Sequence, residues 1–204
     1  SKEAFLLLRF GKGIEKVLNM KTQVAIIGGG PSGLLLSQLL NKAGVATVVL
    51  ERSSRAHVEG RIRAGVLETG TVQMLHEAGV GDRLDREGIP HVGCYLTDDD
   101  LMVRINFKEL TGKQVVVYGQ TEVTADLYNA QDAMGATVLH DVSDVVINDA
   151  DSDIPYVEFT KDGVRQRLDC GYVVGCDGFH GVSRTTIPEE KRRAFERVYP
   201  FGWL

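Results

Sequence analysis

The segment Gln23–Arg52, QVAIIGGGPSGLLLSQLLNKAGVATVVLER, decides the fold. A β-branched apolar run ends in glycine, as a buried parallel strand does. A helix is predicted over Ser32 to Ala43, with Leu35, Leu36, Leu39 and Leu40 on one face and Gly44 as its stop. ATVVLE is a second buried strand. The three make a βαβ unit, the start of a Rossmann-like α/β sheet.

Gly28, Gly30 and Gly33 fall at G-x-G-x-x-G spacing between strand and helix. The first allows the tight turn, the second lets backbone approach a pyrophosphate, and the third lets helix and strand pack closely. The helix start offers free N–H groups to phosphate. This turn serves NAD(P) and FAD alike. Glu51 closes the second strand roughly 20 residues on, where a carboxylate accepts from both ribose hydroxyls. It would repel a 2′-phosphate, so FAD or NAD fits this turn and NADP does not.

Outward from this unit, RAGVLETGTVQMLHEAGVGDRL reads as one or two helices broken at Gly79, the first starting near Val66. HVGCYLTDDDLMVRINF reads as a hairpin turning at Asp98–Asp100. TEVTADLYNAQDAMG is an amphipathic helix, with Val123, Leu127, Ala130 and Met134 on one face and Gly135 as its end. A series of strands follows, with a turn at KDGV. The last nine residues, ERVYPFGWL, read as a further strand.

Composition sets the class. Of 204 residues, 43% are hydrophobic and 25% charged, as in a soluble globular protein. A net charge of −5 argues against a general nucleic-acid binder. No run approaches the ~18 apolar residues of a membrane span. Cys94, Cys170 and Cys176 form no CxxC pair, so neither a disulfide framework nor a metal site is predicted, and a cytoplasmic location fits. AFLLL is too short for a secretory signal. Residues 1–19 are predicted to be a leader or extension outside the fold, and 20–204 a domain built on this dinucleotide-binding unit.

Two more segments carry chemistry. GRIRAGVLE puts Arg61 and Arg63 at alternate positions of an extended stretch, suited to a phosphate, a carboxylate or an anionic ring, or simply to solvent. In GCDGFHGVSR a buried strand runs into Asp177 and Gly178, and Ser183 and Arg184 open a helix.

Together VAIIGGGPSGLLL, VVLER, GRIRAGVLE, VYGQTEVT, GCDGFHGVSR and FERVYPFGWL resemble the class A FAD-dependent aromatic hydroxylases, in particular the branch acting on 4-hydroxybenzoate. The resemblance covers Gln23 to Leu204 and makes residues 20–204 an FAD-binding domain. It implies that Gly28, Gly30, Pro31, Ser32 and Gly33 hold the FAD pyrophosphate and that Glu51 meets the adenosine ribose. Arg52 would lie beside Glu51. Arg61, Ile62, Arg63, Ala64, Gly65 and Val66 would line the flavin side, and Gln120 would also contact FAD. Asp177 would serve both FAD and NADPH, with Gly178 beside it at the cofactor.

On the NADPH side the resemblance implies Arg52, Ser53, Arg55, His57, His180 and Arg184. The segment Ser53–Glu59, SSRAHVE, lacks the tyrosine of the best-known members, so NADPH and NADH both stay open. Trp203 would lie near the flavin, with the substrate-binding sheet starting at about 195–204. The implied reaction joins 4-hydroxybenzoate, O2 and reduced coenzyme to give 3,4-dihydroxybenzoate, in a protein that is a homodimer at full length. The substrate-activating tyrosines, the carboxylate-binding serine and arginine and a second G-D motif would lie beyond Leu204. The chain is therefore expected to be the N-terminal part of such an enzyme, unable to hydroxylate alone. Another flavin oxidoreductase on the same scaffold, or a non-catalytic nucleotide-binding module, are the competing readings.

Overall fold

The computed structural model describes residues 5–7 and 16–200, with side chains from residue 19 onward. Strand β1 (Phe5–Leu7) pairs antiparallel with β2 (Lys16–Lys21). The βαβ unit follows as β3 (Val24–Ile27), α1 (Pro31–Lys42) and β4 (Thr47–Leu50). Next come α2 (Arg55–Glu59), β5 (Val66–Leu67), α3 (Thr69–Ala78), α4 (Asp82–Glu87) and β6 (Ile89–His91). The hairpin β7 (Gly93–Asp98) and β8 (Leu101–Asn106) leads through α5 (Phe107–Thr111) and β9 (Val115–Val117) to α6 (Gln120–Met134). Strands β10 (Thr137–Leu139), β11 (Ser143–Asn148), β12 (Tyr156–Lys161), β13 (Val164–Asp169) and β14 (Tyr172–Gly175) precede the short helix α7 (Val182–Thr186).

A parallel sheet in the order β10-β4-β3-β14 is the middle layer. Side chains alternate along β3, so Ala25 and Ile27 face one way and Val24 and Ile26 the other. The first pair packs with Val48, Leu50, Val157, Phe159 and Leu168 against the antiparallel strands β12 and β13. The second packs with Val49 beneath Leu36 and Leu40 of α1. A third cluster, Leu34, Leu75, Leu84, Val123, Leu127 and Tyr128, binds the helices to one another. Both faces of the parallel sheet are thus covered, as their unbroken apolar sequences require.

The turn chemistry follows the sequence. Gly79 and Gly135 end α3 and α6 in the left-handed conformation, with φ of 78° and 67°. Asp162 and Gly163 both have positive φ, the two-residue hairpin turn read from KDGV. The β7–β8 hairpin turns at Asp99 and Asp100.

Several expectations differ from the structure. In α1 the innermost residues are Gly33, Leu34, Ser37 and Gln38, not the four other leucines. Those leucines flank this strip, because α1 is wedged between sheet and helices: Leu36 and Leu40 meet the sheet, Leu35 the helices. The centre is small and polar because it is matched by polar groups. Ser37 Oγ lies 2.7 Å from Thr47 Oγ1 and donates to Gln131 Oε1 at 3.0 Å. Gln131 Nε2 donates to Gln38 Oε1 at 3.0 Å and to the Leu34 carbonyl at 3.3 Å. Accordingly α6 buries Val123, Thr124, Leu127, Tyr128 and Gln131, and Met134 at its end is 39% exposed.

The helix expected from Val66 starts at Thr69, because Val66 and Leu67 pair with Val117 and Val116 as β5. Part of the expected leader is strand β2, paired in parallel with β13 from Leu18 to Lys21. Residues 196–200 of the expected last strand have no strand partner and are not strand; 201–204 lie outside the described residues. No helix among the described residues is long and apolar enough to cross a membrane.

Gln131→Leu should lower the unfolding free energy in a urea titration by about 1–3 kcal/mol, because it strands buried partners on α1. Met134→Leu should stay within about 0.5 kcal/mol of the parent chain.

Candidate functional site

The glycine turn sits at the C-terminal ends of the parallel strands. Gly28 has φ of 108°, a conformation that disfavours side chains, and a Cβ there would strike the Cys176 carbonyl. A Cβ on Gly33 would strike the Gly28 carbonyl. These two glycines are fixed by packing. Gly30 is different: a Cβ there would meet nothing within 4 Å, and its φ of −75° is ordinary. The space above Gly30 is open at the start of α1, as a pyrophosphate would need.

Glu51 is 9% exposed and lies against this turn. Its Oε2 accepts from the Gly29 N–H at 2.7 Å and its Oε1 from the Ser53 N–H at 2.8 Å. A carboxylate has about four acceptor positions, so room remains for ribose hydroxyls. Gly29, which the fingerprint leaves unassigned, is also held from the other side: the Tyr128 hydroxyl donates to its carbonyl at 3.1 Å. The sequence shows Tyr128 only as one residue of an amphipathic helix.

The structure brings two further sequence-predicted segments together. The Tyr118 N–H donates to the Gly65 carbonyl at 2.8 Å, and the Gln120 N–H to the Ala64 carbonyl at 3.2 Å. Gln120 therefore starts α6 beside the stretch holding Arg61, Ile62 and Arg63. Ile62 is 86% exposed and Val66 57% exposed, so this stretch presents its side chains outward. Arg52, Arg61 and Arg63 make no ion pair among the described residues.

Arg55 stands apart from them. Its Nε contacts Glu59 at 2.9 Å, its Nη1 contacts Asp132 at 2.6 Å, and its guanidinium lies 4.7 Å from the Tyr128 ring centroid. Hydrogen bonds to Asp132 and Glu59 push its pKa up. Through Asp132, Arg55 braces α2 against α6. His57 is exposed in α2, where its backbone N–H bonds the Ser54 hydroxyl.

Asp177 closes the opposite side of the site. Its Oδ2 accepts from the Ser183 N–H at 2.9 Å and the Ser183 hydroxyl at 3.1 Å, fixing the first turn of α7. Asp177, Gly178, Ser183, Arg184 and Lys191 line an open groove of about 730 Å³. His180 is exposed and meets Phe179 edge-on at 5.0 Å, while the Arg184 guanidinium lies 4.1 Å from the centroid of the Phe179 ring. The coenzyme-side residues thus fall into two groups, at α2 and at α7. Trp203 lies outside the described residues. Burial, then Asp177, pushes the Cys176 thiol up, which makes it a poor nucleophile here.

Residues 21–204 match the FAD binding domain family. The chain belongs to that family. As an FAD binding domain it is similar to p-hydroxybenzoate hydroxylase of Acinetobacter baylyi, 47% identical over 91% of this chain and 46% of that protein. It is also similar to pentachlorophenol 4-monooxygenase of Sphingobium chlorophenolicum, 25% identical over 80% of this chain and 31% of that protein. Among solved structures, the p-nitrophenol 4-monooxygenase PnpA of Pseudomonas putida superposes with a TM-score of 0.70 at 22% identity, covering 81% of this chain and 43% of that one. The anhydrotetracycline hydroxylase OxyS of Streptomyces rimosus gives 0.64 at 27% identity, covering 78% and 32%. The FAD binding domain spans less than half the length of the curated relatives it matches.

Gly30→Ala should leave the unfolding free energy within about 1 kcal/mol, yet raise the FAD dissociation constant at least about tenfold. Gly33→Ala should damage folding itself, seen as a lowered melting temperature. Burial first pushes the Tyr118 phenol up, then Asp126; for Tyr128 burial again leads, then Glu51. Between the ordinary tyrosine pKa of about 10 and the raised folded values, the unfolded chain loses protons that the folded one keeps. Urea midpoints should therefore be level just below pH 10 with respect to these phenols and fall above it, and Tyr118→Phe should flatten that fall.

Proposed function

We propose that this chain is the FAD-holding part of a monooxygenase that hydroxylates 4-hydroxybenzoate to 3,4-dihydroxybenzoate. The observation that carries this reading is the joining of Gly65 and Ala64 to Tyr118 and Gln120 across one hydrogen-bonded seam. Those two segments carry motifs that resemble this branch most specifically, and α6, which starts at their seam, reaches the FAD-type turn through Tyr128. The 47% identity to a p-hydroxybenzoate hydroxylase supports the same substrate.

In this reading the Gly30 N–H and the start of α1 face the pyrophosphate, and Glu51 accepts from the ribose. Arg61 and Arg63, free of acidic partners among the described residues, offset the remaining negative charge. Asp177 keeps α7 and its groove in place at the far side of the flavin. FAD, when bound, supplies the hydride acceptance and oxygen activation that side chains cannot. NADPH or NADH is the reductant. Exposed Arg52, beside Ser53 and His57 at α2, and half-buried Arg184, beside His180 at the groove, are the groups available to its phosphates, while Arg55 is engaged by Glu59 and Asp132. A phenol substrate and O2 complete the reaction, in the cytoplasm and in a homodimer at full length.

Titration of the chain with FAD should give a shifted, quenched flavin spectrum, and its absence would favour a non-catalytic module or relic. Arg61→Ala and Arg63→Ala should each weaken FAD by about tenfold at low salt, as loss of a charge-assisted contact does. Raising salt should shrink that difference. Hydroxylation should require the longer protein: 4-hydroxybenzoate-stimulated NADPH oxidation by the 204 residues alone would overturn this division of labour. With the longer protein, NADPH oxidation without 3,4-dihydroxybenzoate would favour a different flavin oxidoreductase.

A further inference from the structure

The Gly29–Gly30 peptide is a single planar unit, and the described residues contain no cis peptide bond. In a trans peptide the C=O and the following N–H point in opposite directions. Whatever pins the Gly29 carbonyl therefore aims the Gly30 N–H. The carbonyl is pinned by the Tyr128 hydroxyl at 3.1 Å. The Gly30 N–H finds no protein acceptor among the described residues, and the space over Gly30 is open. The preceding peptide is pinned the other way, its Gly29 N–H held by Glu51 at 2.7 Å. Two successive peptides of a flexible, glycine-only segment are thus each fixed by one side chain, and those side chains come from different elements.

We propose that Tyr128 is a positioning residue for FAD: its hydroxyl holds the Gly29 carbonyl inward so that the Gly30 N–H faces the pyrophosphate. The proposal rests on the reading that this turn binds FAD. Tyr128 has little freedom of its own, being 1% exposed. Its ring packs between the Arg55 guanidinium at 4.7 Å and the His140 ring at 5.4 Å. Arg55 is itself held by Glu59 and Asp132, and His140 Nδ1 lies 3.3 Å from the Ser53 carbonyl. The acid pair on Arg55 therefore serves the turn, through the ring that Arg55 covers. This gives α2 and α6 a part in FAD binding although neither Arg55 nor Tyr128 need touch FAD.

The test is Tyr128→Phe in the 204-residue chain, which keeps the ring and removes the hydroxyl. FAD titration should show a dissociation constant raised about 3–10-fold, the loss of one hydrogen bond. In amide NMR of the FAD-free chain, the Gly30 N–H resonance should move while those of Val24–Ile27 stay. Arg55→Met, which uncovers the ring but keeps the hydroxyl, should raise the constant in the same direction by a smaller factor. FAD affinity within about 1.5-fold of the parent, an unmoved Gly30 resonance, or changes spread through β3 would each overturn the proposal. A parent chain that takes up no FAD would overturn the reading of the turn itself, whereas failure in the variants alone removes only the role of Tyr128.

Discussion

A buried carboxylate holds the functional end of this protein together. Glu51 accepts from the Gly29 and Ser53 N–H groups through its side chain. Its own N–H donates to Leu139 at 2.8 Å, and its carbonyl accepts from Val142 at 3.1 Å. One residue thus joins the glycine turn, the exit of β4 and the exit of β10. Hydrogen bonds to an ionised group contribute about 1.5–3 kcal/mol each, more than ordinary backbone bonds. The bond to Gly29 offsets part of the backbone entropy that opposes order in a segment of three glycines.

The three-layer arrangement explains why the ligand-facing groups converge. The glycine turn leaves β3, Glu51 follows β4 and Asp177 follows β14, and these strands are parallel neighbours. Their C-terminal ends therefore lie along one edge, where open α/β sheets place their ligands. The antiparallel strands on the opposite face supply burial and keep the parallel sheet dry. The helices supply the second contact to the turn, through Tyr128.

Much of this was legible in the sequence because local chemistry dictates it. The G-x-G-x-x-G spacing, the helix-ending glycines and the KDGV turn depend on backbone conformations few residues adopt. The helix faces were less legible. Leu35, Leu36, Leu39 and Leu40 form a sound stripe by period, but α1 is buried on several sides, and its centre is set by polar partners on β4 and α6. Gln131 is 93 positions from its partner Gln38, a distance no periodicity can see. Arg55 shows the same limit: its partner Asp132 lies 77 positions along the chain, and only the fold brings the two together. Val66 was read as helix because its strand partner Val117 is far along the chain.

The polar strip between α1, β4 and α6 has a historical consequence. An apolar contact tolerates piecemeal exchange, since one aliphatic side chain substitutes for another with modest cost. Ser37, Gln38, Thr47 and Gln131 have no such latitude, because each change orphans a partner buried with it. In diverging lineages these positions should alter in concert or stay fixed, while the surrounding leucines drift. The rotational setting of α1, and with it the aim of its first N–H groups, is in effect inherited as a block.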